Sequence, residues 1–293
     1  MKDNLSFLKV EKNEKGYPKE LTTLKGMPQI IYYRGRIENT FKKIAIVGTR
    51  KATEQGKNTA FEFSRLLSKE GFIIVSGLAN GIDTSAHKGA LEVDGTTWAV
   101  MGSPINKIYP TINEKLAIQI LENNGCILSE LSPNSPTYPN SFVLRNRIIS
   151  GLSDAIIVIE APEKSGALAT ALFGQKQGKK IFVIPGPINS INYKGSHKLI
   201  REGARLVTSV KEILEDLGYN SQKENNTDQN YRRKNEKERV LIEVLKSLGK
   251  PASVDKICQM TTLNAQEVMP MLTNLIIDQT IVEEGQGRYN LKN

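Results

Sequence analysis

Short apolar runs alternate with amphipathic segments from Lys43 to about Gly218. Runs of this kind that end in glycine are typical of buried parallel strands, and the segments between them carry apolar residues at helical spacing. Predicted strands cover 44–48, 72–77, 97–102, 126–130, 155–160, 180–186 and 204–207, and predicted helices cover 58–67, 81–91, 113–121, 167–176 and 195–203. This alternation predicts an α/β fold, an extended Rossmann-like doubly wound and mostly parallel sheet with helices on both faces.

The patterns on either side of this region are different. Residues 1–40 are punctuated by prolines and glycines, which indicates an irregular lead-in with one short strand within 27–35. Residues 219–235 are polar and rich in amide side chains, so they cannot bury a core and are predicted to form a flexible linker. We therefore divide the chain into the lead-in, a Rossmann-like domain over 41–218, the linker, and a small domain over 236–293.

The small C-terminal domain has the pattern of a winged helix. Helices are predicted over 236–248, 253–260 and 265–279, and a hairpin over 281–291. The second and third helices of such a domain have the geometry that enters a DNA major groove. The third helix, however, contains no Lys or Arg, and phosphate contacts supply most of the affinity for DNA. We therefore favour a partner-binding or dimer-supporting role for this domain.

The charge of the chain is unevenly distributed. The net charge of +9 favours an acidic partner such as nucleic acid, although a basic excess also serves solubility. Residues 220–293 carry 11 Lys and Arg against 10 Asp and Glu, a net of +1, which leaves +8 for residues 1–219. If the charge binds a polyanion, the large N-terminal part is expected to do the binding.

Several classes of protein are disfavoured by what the sequence lacks. No run of about 18 apolar residues occurs, and the N-terminus has no signal-peptide stretch. Two cysteines and two histidines form no zinc-site spacing. We expect a cytoplasmic protein without membrane insertion, metal or cofactor, whose cysteines are plain buried residues.

A basic cluster, Arg145-Asn146-Arg147, follows Phe142 and precedes the apolar run of 155–160. Arginine binds phosphate through a planar fork of donors, and an aromatic ring offers a face for base stacking. Polyanion binding near the rim of the sheet is one hypothesis. In the alternative hypothesis these arginines cap a helix and pair with nearby carboxylates, and the cluster by itself does not separate the two.

Small residues recur where the predicted strands end. They are found at 48–50, 76–81, 102–103, 165–167 and 185–186. Open α/β sheets bind ligands at this edge, where glycine permits close backbone approach and helix N-termini offer amides to anions. Neither Gly48–Lys57 nor Gly174–Lys179 has P-loop spacing, and no G-x-G-x-x-G follows the first strand. The pattern favours an anion-binding edge over a dinucleotide site.

Five short stretches, taken together and in their order along the chain, resemble the motifs of a known family. They are Val47–Arg50, Val75–His87, Tyr109–Asn113, Arg145–Leu152 and Glu160–Ala167. Together they resemble the DNA-processing protein A (DprA, also called Smf) family over roughly 17–218, and the tail from Pro251 is similar to the family's optional winged-helix domain. The resemblance implies a non-enzymatic homodimer that binds and protects single-stranded DNA and loads the RecA recombinase during natural transformation.

The resemblance also implies a set of DNA-binding residues. Carried onto matching positions, the set is Gly48, Arg50, Gly77, Asn80, Gly81, Phe142, Arg145, Asn146, Arg147, Ser165 and Gly166. Arg50 is expected to grip a phosphate and Phe142 to stack on a base, with further cationic contacts from Arg145 and Arg147. Backbone and amide contacts are expected from Gly77, Asn80 and Gly81.

Three carboxylates near this set are expected to be structural. Asp83, Glu130 and Glu160 are interpreted as anchors that hold the loops through hydrogen bonds, and one of the two arginines of the cluster is open to the same role. Val143 stands where the family usually has proline, so Phe142 is open to stacking on a base or to packing inward.

Two rival functions belong to other classes. The fold is shared with nucleotide-processing enzymes of the lysine-decarboxylase-like phosphoribohydrolase type, but the stretch 164–173 lacks the carboxylate that does their chemistry. A sequence-specific regulator that uses the winged helix is disfavoured by the uncharged third helix. We therefore expect a binding protein and no catalytic residue.

Overall fold

The computed structural model describes residues 6–37, 42–219, 227–277, 280–285 and 287–291, with the side chains of 227–237 and 277 outside the described set. The chain divides into two compact units, Met1–Tyr219 and Asn220–Asn293. Among the described residues, no helix combines the length and the apolar character needed to cross a membrane.

The described residues of the first unit form one nine-stranded sheet. Its strands are β1 (Leu8–Glu11), β2 (Ile30–Gly35), β3 (Lys43–Val47), β4 (Ile73–Ser76), β5 (Thr97–Met101), β6 (Cys126–Ser129), β7 (Ala155–Val158), β8 (Lys180–Val183) and β9 (Arg205–Leu206). Their order across the sheet is β1-β2-β6-β5-β4-β3-β7-β8-β9. Strands β3 to β9 pair in parallel, whereas β1 and β2 join antiparallel at one edge. The predicted mostly parallel sheet is confirmed.

Helices cover both faces of this sheet. They are α1 (Lys19–Thr22), α2 (Glu54–Lys69), α3 (Ile82–Leu91), α4 (Glu114–Glu122), α5 (Pro139–Leu152), α6 (Gly166–Lys176), α7 (Lys194–Arg201) and α8 (Val210–Asp216). Successive side chains of a strand point to opposite faces. Ile44 and Ile46 of β3 accordingly pack with α2, α3 and α8, and Ala45 and Val47 pack with α1, α5, α6 and α7. The fold is therefore doubly wound, as predicted.

Two parts of the first unit differ from the sequence prediction. The lead-in contains β1 and α1 in addition to the one predicted strand. Strand β1 was not predicted because it buries only Val10 and so leaves little apolar pattern in the sequence. The basic cluster lies inside α5, which the sequence did not predict as a helix. Pro139 occupies the first position of this helix, and the Tyr138 N–H donates to Ser141 Oγ at 3.3 Å, so the helix start is locally encoded.

The second unit contains α9 (Thr227–Leu248), β10 (Ala252–Ser253), α10 (Val254–Thr261), α11 (Ala265–Ile277), β11 (Ile281–Glu283) and β12 (Arg288–Leu291). The strands form an antiparallel sheet in the order β10-β12-β11. The three helices and the hairpin follow the order predicted for a winged helix, which stays a prediction, and β10 is a further strand that the sequence did not predict. Helix α9 begins inside the stretch predicted as linker, since 227–235 contains helix-forming Gln, Arg and Lys. Residues 220–226 of the predicted linker, residues 278 and 279 of the predicted third helix and residue 286 of the predicted hairpin lie outside the described residues.

Candidate functional site

A groove of about 720 Å³ opens at the carboxyl edge of the sheet, between neighbouring strands β3 and β7. The helices that follow these strands, α2 and α6, pack on opposite faces. Such a switch point leaves a crevice in which α/β proteins bind ligands. We call it the switch-point groove, and the residues that line it lie within the stretches 47–50, 79–83, 103–109, 137–149 and 162–170. This is the edge at which the sequence pattern predicts anion binding.

The switch-point groove is cationic. Arg50, Lys107 and Lys164 are exposed on its walls, and Arg145 lies buried behind them. Among the described lining residues the one carboxylate is that of Asp83. Clustered charge of one sign in a cleft raises the local concentration of ligands of the opposite sign, so the groove suits an anion.

Arg50 lies on an exposed loop after β3, with its guanidinium carbon 5.8 Å from the centre of the Phe142 ring. This is a cation–π contact. The loop passes close to Gly81, where a Cβ would lie 2.4 Å from the Thr49 carbonyl oxygen. Gly81 also has a φ of +82°, which favours glycine. Gly81 thus lets the Arg50 loop pack against the start of α3.

Phe142 is half-buried at the centre of the site. Its ring centre lies 5.2 Å from that of Tyr109, and the two ring planes are inclined at 48°. A Cβ on Gly102 would lie 2.7 Å from Phe142 Cδ1, so the ring rests on this glycine. A second cavity of about 60 Å³ shares Arg50, Phe142 and Arg145 with the groove and adds the exposed Asn80. Phe142 therefore packs on Gly102 while part of its ring faces the site.

Arg145 is a buried side chain that is hydrogen-bonded to neighbouring backbone groups and is not an exposed cation. It is 6% exposed, and it donates hydrogen bonds to the Gly77 carbonyl, at 2.7 Å, and to the Val100 carbonyl. Asp83 accepts from the N–H groups of Gly77 and Ala79 at 3.2 and 3.3 Å. Burial lowers the pKa of Arg145 to about 10 and raises the pKa of Asp83, which the Arg145 charge in turn lowers. The two side chains together hold the turn after β4.

Gly77 in this turn cannot be replaced by a larger residue without a steric clash. A Cβ on Gly77 would lie 2.6 Å from Arg145 Nη2 and 2.7 Å from Asp83 Oδ2. Asn146, 7% exposed, accepts from Arg145 Nε at 3.1 Å and donates to the Gly166 carbonyl at 3.0 Å. Arg145 and Asn146 line the groove, but both are buried and hydrogen-bonded within the protein. Their predicted contact with DNA stays a prediction.

Arg147 forms an ion pair with Glu130, with 2.6 Å between Nη2 and Oε1, and its side chain is 16% exposed. The hypothesis that the cluster pairs with a carboxylate is confirmed for this arginine. The sequence left a structural role open for one of the two arginines. Both have such a role, since Arg145 is also hydrogen-bonded within the protein. The Glu130 and Asp83 side chains anchor the loops by hydrogen bonds, as predicted.

The start of α6 forms another wall of the groove. Ser165 caps this helix, and its hydroxyl accepts from the Leu168 N–H at 3.4 Å. Gly166 is exposed next to it. The first amides of a helix have no partner within the helix and favour anions. Across the groove, Gly48 packs on Ile82, whose Cγ1 would lie 2.4 Å from an added Cβ.

Four cationic or aromatic side chains that line the groove were not predicted from the sequence: Lys107, Tyr109, Tyr138 and Lys164. Tyr109 and Lys164 stand in stretches that carried the family resemblance, so a signal for them was available. Lys107 and Tyr138 lie in irregular segments without periodicity, where nothing in the sequence indicates which way a side chain points. The added residues increase both the charge and the aromatic surface of the groove.

His87 lies fully buried on α3, near Arg145. The Thr97 hydroxyl donates to the Ile74 carbonyl at 2.8 Å, so it accepts from His87 Nδ1, 2.7 Å away. Nδ1 therefore carries the proton of the neutral ring. Burial lowers the pKa of His87 to about 3, and the Arg145 charge lowers it further.

We expect the free energy of unfolding to fall as the pH falls from about 6.5 to 3. The unfolded histidine binds a proton below about 6.5, whereas the folded one stays neutral down to about 3. Unfolding then takes up a proton, which destabilises the fold by up to about 1.4 kcal/mol per pH unit. Urea unfolding of wild type, His87→Leu and the control His197→Leu at pH 7 and 5 checks this. An unchanged pH dependence in His87→Leu contradicts it.

The fold and the site together define a class. A doubly wound parallel sheet with a cationic, aromatic-lined groove at its switch point is the arrangement of a Rossmann-like anion-binding protein. Residues 9–218 match the family described as DNA recombination-mediator protein A. The chain belongs to this family.

Relatives and solved structures agree with the match. Protein Smf of Escherichia coli K12 is 40% identical over 204 residues, covering 69% of this chain and 54% of its own length. DNA processing protein DprA of Streptococcus pneumoniae is 38% identical over 204 residues, covering 69% and 72%. The chain spans about half the length of the Smf proteins of Escherichia coli and Synechocystis.

Two solved structures resemble this chain. The X-ray structure of Streptococcus pneumoniae DprA has a TM-score of 0.67 at 36% identity and covers 73% of this chain and 75% of that one. DNA processing protein A of Helicobacter pylori has a TM-score of 0.66 at 34% identity and covers 74% and 98%.

Proposed function

We propose that the first unit binds single-stranded DNA in the switch-point groove. The observation that carries the proposal is the exposed Arg50 guanidinium beside the Phe142 ring, 5.8 Å from its centre. Binders of single strands combine a cationic groove with an aromatic face on which bases stack. The Helicobacter pylori relative is described by its single-stranded DNA binding mode, which supports the same ligand here.

The proposed contacts are divided by chemistry. Arg50, Lys107 and Lys164 bind phosphates, because they are exposed cations on the groove walls. Phe142 stacks on a base, with Tyr109 as a second ring at the rim. Backbone N–H groups at Ser165–Gly166 and at Gly48, and the Asn80 amide, bind further oxygens. Arg145, Asn146 and Arg147, with Gly77 and Gly81, position these groups.

The groove favours single strands over duplex. Stacking on Phe142 requires a base that is free of its complementary strand. Among the described side chains of α11, the exposed ones, which include Gln266, Met269 and Thr273, are uncharged, so this helix offers no cation to a DNA groove. We therefore propose that the second unit contacts a protein partner, which is another copy of this chain or a different protein.

We infer a cellular role from the family. The protein protects incoming single-stranded DNA in the cytoplasm and loads the RecA recombinase on it, as a homodimer, during natural transformation and recombination. The family's description as a recombination mediator supports this role. Sedimentation of the purified chain tests the dimer, and co-precipitation with RecA in the presence and absence of an oligonucleotide tests the partner.

Fluorescence anisotropy of labelled single-stranded and duplex oligonucleotides across a salt series tests the binding function. We expect tighter binding of the single strand, with log K falling linearly with log salt at about −0.7 per phosphate contacted. Equal affinity for duplex contradicts the proposal. Release of a base from a nucleoside monophosphate favours the nucleotide-processing enzyme instead.

We expect Phe142→Leu to weaken binding by about five- to a hundredfold, because a stacked base contributes about 1–3 kcal/mol. Leu144→Ala is the matched control, since Leu144 is exposed on the same helix and does not line the groove. The same variants are measured with an abasic oligonucleotide, which Phe142→Leu and wild type should bind equally. A loss of the same size with the abasic strand shows that the ring does not stack on a base.

A further inference from the structure

We propose that Glu160 is the positioning residue for Arg50, and this inference rests on the proposed function of Arg50 as a phosphate contact. Glu160 follows β7, across the switch point from the Arg50 loop, and is fully buried. It holds the loop through its backbone and through its carboxylate. Arg50 itself takes no part in these bonds, so Glu160 acts on it through the backbone of residues 49–53.

The loop is held at both ends by this one residue. The Glu160 carbonyl accepts from the Thr49 N–H at 2.7 Å. Its carboxylate accepts from the Thr53 N–H, 3.0 Å from Oε2, and from the Thr53 hydroxyl. The three residues between these anchors, of which Arg50 is the first, are left with little freedom to move.

The middle of the loop is tied to the same carboxylate. Asn192 Nδ2 donates to the Lys51 carbonyl at 3.1 Å and to Glu160 Oε2 at 2.9 Å. The Tyr193 hydroxyl donates to Glu160 Oε1 at 3.3 Å. Glu160 therefore joins the loop after β3 to the segment that precedes α7.

The carboxylate is seated against the first turn of α2. A Cβ on Gly56 would lie 2.4 Å from Glu160 Oε1, and Thr53 caps the helix by accepting from the Gly56 N–H at 3.0 Å. Carboxylates are favoured at helix N-termini.

The described partners of the Glu160 carboxylate are hydrogen-bond donors, and no described cation forms an ion pair with it. Burying a charge is unfavourable unless it is well bonded, and these bonds go to the loop that carries Arg50.

A double-mutant cycle on single-stranded DNA binding tests this role. We expect Glu160→Gln to lower the affinity about tenfold and to reduce the salt slope by about 0.7, as loss of one phosphate contact does. We expect Arg50→Ala to have an effect of the same kind. The double variant should bind no more weakly than Arg50→Ala alone, because a positioning residue has nothing left to position.

Glu20→Gln is the matched control. Glu20 forms an ion pair with the buried Lys43 Nζ at 2.5 Å, at the start of β3 and so at the opposite edge of the sheet. This change should lower the melting temperature and leave the salt slope unaltered. If Glu160→Gln does not fold, Asn192→Ala removes the tie to the Lys51 carbonyl and should reduce the slope in the same direction by a smaller amount.

The outcomes separate this inference from the function on which it rests. Unchanged binding by Arg50→Ala overturns the role of Arg50 in the proposed function. Weakened binding by Arg50→Ala with an unchanged slope in Glu160→Gln, or losses that add in the double variant, overturns the positioning role alone.

Discussion

Arg50→Ala is expected to weaken single-stranded DNA binding about 10- to 100-fold without lowering the melting temperature. The Arg50 guanidinium is exposed over Phe142, so its loss leaves no buried group without a partner. A hydrogen bond to a charged group contributes about 1.5–3 kcal/mol, which accounts for the size of the effect. The salt slope should become shallower by about 0.7, and anisotropy titrations measure both quantities.

Lys69→Ala is the matched control for this prediction. It removes the same charge from an exposed position at the far end of α2, away from the carboxyl edge of the sheet. We expect it to leave the affinity nearly unchanged. Equal losses in Arg50→Ala and Lys69→Ala indicate that only the overall charge matters and count against a specific site.

Arg145→Met is expected to lower the free energy of unfolding by about 3–5 kcal/mol, because removing one partner leaves buried groups uncompensated. The carbonyl oxygens of Gly77 and Val100 lose their donor, and the buried Asp83 loses the positive charge beside it. Urea denaturation measures the effect.

Arg147→Met is the control, and we expect a smaller loss, since its ion pair with Glu130 is partly exposed. An unchanged free energy of unfolding in Arg145→Met contradicts the structural role of this side chain. That result favours the direct cationic contact with DNA that the family resemblance implies for Arg145.

The strands were predictable where burial is continuous. All five residues of β3 are buried, so the apolar run gives both its type and its place. Strand β1 buries only Val10, and its pairing with β2 is a long-range event that leaves no local pattern. The parallel sheet and its two helical faces therefore follow from sequence, and the antiparallel edge does not.

The site was predictable to the level of the sheet edge. Arg50 follows an obvious strand, so its place at the carboxyl edge follows from fold class. The roles of Arg145 and Arg147 depend on α5, which turns by about 100° per residue. Residues two apart then point in nearly opposite directions, and without the helix the buried one cannot be identified. The predicted anchoring role of Glu160 is confirmed, but its partners Thr49, Thr53 and Asn192 lie far from it in the chain, so the sequence does not identify them.

Photo-crosslinking of an oligonucleotide that carries 4-thiothymidine, followed by peptide mapping, tests the proposed groove most directly. We predict crosslinks at Phe142 and in the peptides around Arg50 and Tyr109, with loss of the Phe142 crosslink in Phe142→Leu. Crosslinks confined to the second unit, in α10, α11 or the β11–β12 hairpin, contradict the assignment of DNA binding to the switch-point groove.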